Sequence, residues 1–139
     1  MAQSQDNLFV QATVGGECSV TGGTLDFGNF SGEELDISTP ISFNCNAPSN
    51  ISISLDGGDV GVPGGRQLGN EDNTVFLQYD LFQDEARSVL WGIFPDDSMD
   101  IDNTPVGPTD VPVFGRIFGP QDAIPGTYTD TVQITLTTN

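Results

Sequence analysis

Four carboxylates crowd into the eight residues Asp96-Asp-Ser-Met-Asp-Ile-Asp-Asn103, and calcium takes hard oxygen ligands of this kind. An EF-hand loop needs Gly at its sixth position and Glu at its twelfth, and neither falls in register. The run therefore reads as a solvated acidic loop; Asp56-Gly-Gly-Asp59 is a weaker version of the same pattern. The Gly-rich stretch 57–69 lacks the Lys-Ser/Thr of a phosphate-cradling loop, and no helix follows it. The 20 acidic side chains offer many carboxylate pairs of the kind that hydrolyse glycosides, yet no aromatic-rich cleft pattern accompanies them. There is no histidine, so Ser-His-Asp and Cys-His catalysis and His-rich metal sites are excluded. The sequence reads as a non-enzyme, with no catalytic residue, no metal and no cofactor expected.

Charge narrows the partners. The 139 residues carry 20 acidic and 3 basic side chains, a net charge of −17, which a nucleic-acid backbone or an anionic membrane surface repels. No apolar run approaches the roughly 18 residues of a membrane span, so neither nucleic-acid binding nor membrane insertion is expected. The opening Met-Ala-Gln-Ser-Gln has no basic and no apolar leader region, and reads as a mature or recombinant form. The bases are Arg66, Arg87 and Arg116. Arg87 and Arg116 sit in apolar stretches and are expected to bond an acid of their own chain such as Asp84, an interface charge pair being the alternative. Cys18 and Cys45 are too few for a zinc site without histidine. An even count beside strand-like runs suits one disulfide, worth roughly 3.5 kcal/mol for a loop of about 28 residues, and implies a non-reducing compartment. Two buried free thiols are the alternative.

The elements that must carry these residues are strands. Hydrophobic residues make up 36% and charged residues 17%, with 17 glycines and 9 prolines as punctuation, which argues for a folded β protein. Alternation marks strands at 8–14, 17–20, 24–27, 41–45, 51–55, 75–82, 89–93, 111–118 and 127–137. A short strand is expected near 66–68 in the loop 56–74, one helical turn at 84–87 with Asp84 as N-cap, and a turn-rich acidic stretch at 95–110. Trp91 is expected in the core. Pro112 favours an edge or a bulge, and Asp130 falls on the apolar face of the last run. Seven or more evenly spaced strands without a long helix imply an antiparallel β-sandwich, with a small closed barrel as the alternative.

The first segment is the odd one. Leu8, Val10, Ala12 and Val14 share one face of a strand, and Gly15-Gly16 separates it from the rest. Alone in water it would expose that face and both hydrogen-bonding edges. Either it pairs within its own sandwich, or it completes a neighbour's sheet by β-strand addition; the two glycines permit both.

Motifs along the chain bear on that choice. Phe76-Leu-Gln-Tyr-Asp-Leu-Phe-Gln-Asp-Glu-Ala-Arg-Ser-Val-Leu-Trp-Gly92 resembles the central motif of the spore coat protein U-like domain, a family that includes subunits of archaic chaperone–usher pili. Val111-Pro-Val-Phe-Gly-Arg-Ile117, Pro125-Gly-Thr-Tyr-Thr-Asp-Thr-Val132 and Leu25-Asp-Phe-Gly28 are similar to further family stretches, in the family's order, and Cys18 and Cys45 fall where its cysteines do. The resemblance implies an incomplete immunoglobulin-like antiparallel β-sandwich, completed by a donor strand from a neighbouring subunit. Residues 1–16 would be the donor extension and hinge, and 17–139 the pilin domain.

Carried over by position, Leu8, Val10, Ala12 and Val14 are the donor residues and Gly15 and Gly16 the hinge. The rim of the acceptor groove is expected from 24–27 and 127–137, with Leu25, Phe27, Val132, Ile134 and Leu136 facing it. Ala12 departs from the larger aliphatic expected of a donor, which implies one shallow pocket; the chain also ends on Leu-Thr-Thr-Asn139 rather than on an aromatic. The implied partners are identical subunits head-to-tail, with a periplasmic chaperone and an outer-membrane usher during assembly. The implied place is an extracellular pilus reached through the periplasm, serving adhesion or biofilm formation. The alternative is a monomeric secreted or spore-coat sandwich whose N-terminal strand completes its own fold.

Overall fold

The computed structural model describes residues 2–139; Met1, the first residue of the expected extension, lies outside them. Eight strands form: β1 (Cys18–Thr21), β2 (Leu35–Cys45), β3 (Ile51–Leu55), β4 (Arg66–Gly69), β5 (Phe76–Phe82), β6 (Met99–Ile101), β7 (Gly107–Ile117) and β8 (Ile134–Thr138). They make two antiparallel sheets, β1-β2-β7-β5-β4 and β6-β3-β8, so the chain is an open sandwich and not a closed barrel.

Period-two patterning explains which faces meet. Ile41, Phe43 and Cys45 of β2, Val111, Val113 and Ile117 of β7, and Tyr79 and Leu81 of β5 turn inward from the large sheet. Ile51, Ile53 and Leu55 of β3 answer from the small one. Each fully buried aliphatic contributes about 1.5–3 kcal/mol. Trp91 is wholly buried among them and donates its indole N–H to the Ile53 carbonyl at 2.9 Å.

Two ends of the sandwich matter below. At the root end, β1 begins and β2 finishes; the Asn46 amide donates to Glu17 O at 3.0 Å, Thr104 N to Ser49 O at 2.9 Å and Asn139 N to Asn50 O at 2.8 Å. The far end gathers segments 28–34, 69–75 and 118–129 through Gln121 N to Gly32 O (3.0 Å) and the paired Gly69 and Thr129.

Several expected elements take another form. β2 begins at Leu35, six residues ahead of the expected 41–45, and runs through Pro40. Pro40 stands in register with Pro112 of β7, so both missing N–H groups fall on one rung. The pairing of β5 with β7 stops at Phe114; Pro112, though in a central strand, therefore has an open edge on that side. β6 and the start of β7 occupy the stretch expected to be turns. Residues 89–93 make only the single bridge Phe82↔Leu90. At 84–87 the chain makes a turn closed by Arg87 N to Asp84 O (3.0 Å), and Arg87, at φ 57°, ends any helical course. The Asp84 carboxylate caps that turn, bonding the amides of Ser88 and Val89 and the Ser88 hydroxyl; the hydroxyl bond foremost holds its pKa below the ordinary value.

The arginines go elsewhere than Asp84. Arg87 donates to the carbonyls of Gly115, Ile37 and Glu85, lies over the Phe114 ring and pairs with Asp36 at 3.4 Å. Arg116 forks onto Asp36 at 2.8 and 3.1 Å, and that bond holds the Asp36 carboxyl below its usual range. Arg66 has no solvent exposure at all. It pairs with Asp80 at 2.6 Å and donates to the carbonyls of Asp56 (2.8 Å), Leu55 (2.9 Å) and Trp91 (2.7 Å), stitching the β3 end, β5 and the Trp91 loop together.

A buried pair broken on one side strands the other charge. Asp80→Ala should cost about 3–5 kcal/mol in urea unfolding, whereas Arg116→Ala, which removes a partly exposed pair, should cost about 1 kcal/mol or less.

Candidate functional site

Residues 2–16 form no strand and touch little. Leu8 is 88% exposed, Val10 80% and Val14 82%, and Ala12 is exposed with them. A strand needs a ladder partner to hold its shape, and among the described residues the segment has none. Its root is firm. The Glu17 amide donates to Asn46 Oδ1 at 2.8 Å, Asn46 N returns to Glu17 O, and the Cys18–Cys45 disulfide ties β1 to β2. Of the two glycines, Gly15 has open space around it, while a Cβ on Gly16 would stand 2.8 Å from Ser49 Oγ.

The body carries the reciprocal feature. A cavity of about 310 Å³ opens between the sheets, with Thr24, Leu25 and Phe27 along one side and Asp130, Thr131, Val132 and Ile134 along the other. Its floor is Ile41, Leu55, Leu81 and Val113. Leu136, one turn of the pleat beyond Ile134, packs on the core but does not line the cavity.

Both sides keep a strand's alternation without a strand's ladder. Leu25 and Phe27 turn inward while Thr24 and Asp26 turn out, and Asp130 and Val132 alternate likewise with Thr131. Among the described residues, no amide or carbonyl of 22–27 or 130–132 bonds to another main-chain group. Leu25 and Phe27 reach the β7 backbone because Gly115 has no side chain; a Cβ there would lie 2.7 Å from Leu25 Cδ2 and 2.9 Å from Phe27 Cζ.

Asp130 on the apolar face now has a reason. Its carboxylate accepts the Tyr79 hydroxyl at 2.5 Å and the Asp59 amide at 2.7 Å, so it links β5 of the large sheet to the β8 side. The Tyr79 ring also meets Phe27 edge-on, with centroids 6.1 Å apart. Burial first, and then the bond to the Asp130 carboxylate, drive the Tyr79 hydroxyl far above its ordinary value of 10.0. Two of the four carboxylates of the acidic run are engaged within the fold: Asp97 accepts the Phe94 amide at 2.7 Å and Asp100 the Ser52 hydroxyl at 2.5 Å. Chemically, the cavity offers an apolar floor and two unpaired backbone edges, the requirements of an extended peptide.

Residues 4–135 match the Spore Coat Protein U domain. The chain belongs to that family. It is 31% identical over 154 residues to Protein U of Myxococcus xanthus, covering 98% of this chain and 86% of that protein. Among solved structures it is similar to a chain of the CsuC–CsuE chaperone–tip adhesion subunit pre-assembly complex from the archaic chaperone–usher Csu pili of Acinetobacter baumannii. There the TM-score is 0.66 and the identity 22%, over 89% of this chain and 40% of that one. A chaperone–tip adhesin complex of CFA/I fimbriae biogenesis gives a TM-score of 0.52 at 14% identity, over 88% and 41%. The family member thus spans about two fifths of each solved chain and shares with them an immunoglobulin-like all-β fold.

The Tyr79–Asp130 bond has a pH signature. The fold favours neutral Tyr79, so its contribution is complete below pH 10 and is lost as pH rises beyond the unfolded value. Tyr79→Phe should lower stability at neutral pH by about 1.5–3 kcal/mol, the worth of a hydrogen bond to a charged group. In urea titrations the gap between variant and parent should close above pH 10.

Proposed function

We propose that the chain is a structural subunit of an extracellular chaperone–usher-type pilus that polymerises by donor-strand exchange and so supports adhesion or biofilm formation. One observation carries the reading: a chain with an apolar segment it does not bury also has an apolar slot it does not fill. In this reading residues 1–16 are the donor and its hinge, and 17–139 the accepting domain. Leu8, Val10, Ala12 and Val14 enter the slot of the next copy, against Leu25, Phe27, Val132 and Ile134, with Leu136 beyond the slot's end. A periplasmic chaperone holds the slot during transit and an outer-membrane usher directs the exchange.

The self-completing monomer meets a steric objection. To fill its own slot, the extension would have to fold back at Gly15-Gly16 and run between β1 and β8. Those strands already approach within 8 Å Cα to Cα, and Gly22 lies against Ile134 Cδ1; an intervening strand needs about 9.6 Å, twice the ladder spacing. A copy of the segment arriving from outside faces no such closure where the slot is open. A tip-located binding domain fits less well, since it would have no use for a donor strand.

The energetics favour exchange. Burying Leu8, two valines and an alanine contributes on the order of 5 kcal/mol at about 25 cal/mol per Å², and ladder hydrogen bonds add modestly. The contact is heterologous, so it propagates into an open filament.

Purified protein should run as an SDS-resistant ladder that collapses to monomer on boiling. Val10→Asp, which would carry an unpaired charge into the slot at a cost of several kcal/mol, should abolish the ladder while the unfolding midpoint of the monomer stays unchanged. A ladder that survives this substitution refutes the reading. Because every subunit is acidic, assembly should proceed further near 0.1 M salt, where screening acts within about 10 Å, than in salt-free buffer, as followed by light scattering.

A further inference from the structure

Two ladders of the large sheet stop at a proline. Antiparallel rungs alternate between pairs that exchange main-chain hydrogen bonds and pairs that do not. Asn46 N donates to Glu17 O at 3.0 Å, so β1 and β2 are bonded at Ser19–Asn44 and Thr21–Ser42. The next bonded rung would need an N–H from Pro40, and β1 ends. Phe118 N donates to Gln78 O at 3.1 Å, so β5 and β7 are bonded at Asp80–Arg116 and Phe82–Phe114. The next would need an N–H from Pro112, and β5 leaves. On the other side of β5, Trp91 N to Leu81 O and Gln83 N to Val89 O fix the same parity.

The flank of β7 that β5 abandons is an open edge over 107–113. By that parity its outward main-chain groups belong to Pro108, Asp110 and Pro112, whose side chains are all exposed. The edge thus offers three carbonyls and a single N–H, and among the described residues no strand pairs with it. The slot differs: no proline stands in 22–27 or 130–138, nor in the extension 1–16. We propose that Pro108 and Pro112 are specificity-determining residues that confine strand addition to the slot; the inference rests on the donor-strand reading. They deny an incoming extension the N–H groups that its carbonyls need on this flank. Without them the edge would accept an extended segment through main chain alone, with no pocket to select its side chains. Asp110 sets a carboxylate beside the one N–H that remains, a second deterrent to pairing.

The test uses the full chain carrying Val10→Asp, whose slot its own copies do not fill. A synthetic peptide of residues 1–16 should bind it once per chain in titration calorimetry. Adding Pro108→Thr and Pro112→Val should raise the stoichiometry to two. The same peptide carrying Val10→Asp, which the slot rejects, should bind the proline-free edge and not the parent. Pro112→Val alone should show that second site roughly fivefold weaker, the effect of one hydrogen bond fewer. Asp110→Pro, which removes the last N–H, should leave the stoichiometry at one. An unchanged unfolding midpoint checks that each variant keeps its fold. A single peptide per chain in both variants that lack Pro112 overturns the edge role while leaving donor exchange standing. No binding of the unsubstituted peptide to any of these chains overturns the donor reading and the edge role with it.

Discussion

Two stretches of backbone, 22–27 and 130–132, face each other across an apolar floor and, among the described residues, make no main-chain hydrogen bonds between or beyond them. Everything else about the molecule can be ordered around that gap. A sandwich gains stability by burying the inner faces of both sheets, and here Leu25, Phe27, Val132 and Ile134 remain only half buried at its margin. The exposed faces and unpaired edges are the hazard that sheet proteins ordinarily suppress. The extension has matching faces and edges, and both are left open in one chain.

The gap is kept open by specific contacts. At one end β1 and β8 close upon each other; toward the other, the Tyr79 hydroxyl reaches across to Asp130 and ties the sheets at a fixed separation. Gly115 lets Leu25 and Phe27 lie close on β7 at the side of the slot. Arg66 secures the floor from below by holding the Leu55 and Trp91 carbonyls beside Asp80. A cavity held by such contacts is preorganised, so in the donor-strand reading little ordering of the accepting domain would offset the gain from burying a strand.

The strands around the gap were largely readable from alternation, because a sheet with one buried face repeats every second residue. Ile51–Leu55, Phe76–Phe82 and the inner half of β2 follow that rule closely. Residues 35–40 and 107–110 escaped it: they lie at the margins of the core, and Pro40 reads as a boundary although it sits within β2, on one rung with Pro112. Arg66 with Asp80 was invisible, since the pair arises from the pairing of β4 with β5 and from carbonyls distant in sequence. Asp130 was visible only as an anomaly; its partner Tyr79 lies 51 residues away. The cavity itself leaves no pattern, because an opening between two sheets is not written in the residues that flank it. The expectation of an acceptor groove rests on the family motifs alone.

The position of the disulfide acquires a sense once the extension is taken as the tether between copies. Tension on the tether reaches Glu17, held to Asn46 from both sides, and one residue later a covalent bond carries it from Cys18 into Cys45 at the end of β2. β2 is paired along eleven residues with β7, which lies at the centre of the large sheet. Load is therefore passed over the short edge strand β1, whose four rungs are the weakest part of that sheet at the root, and enters along the axis of its longest ladder. Hydrogen bonds loaded along the strand direction must yield together instead of one at a time.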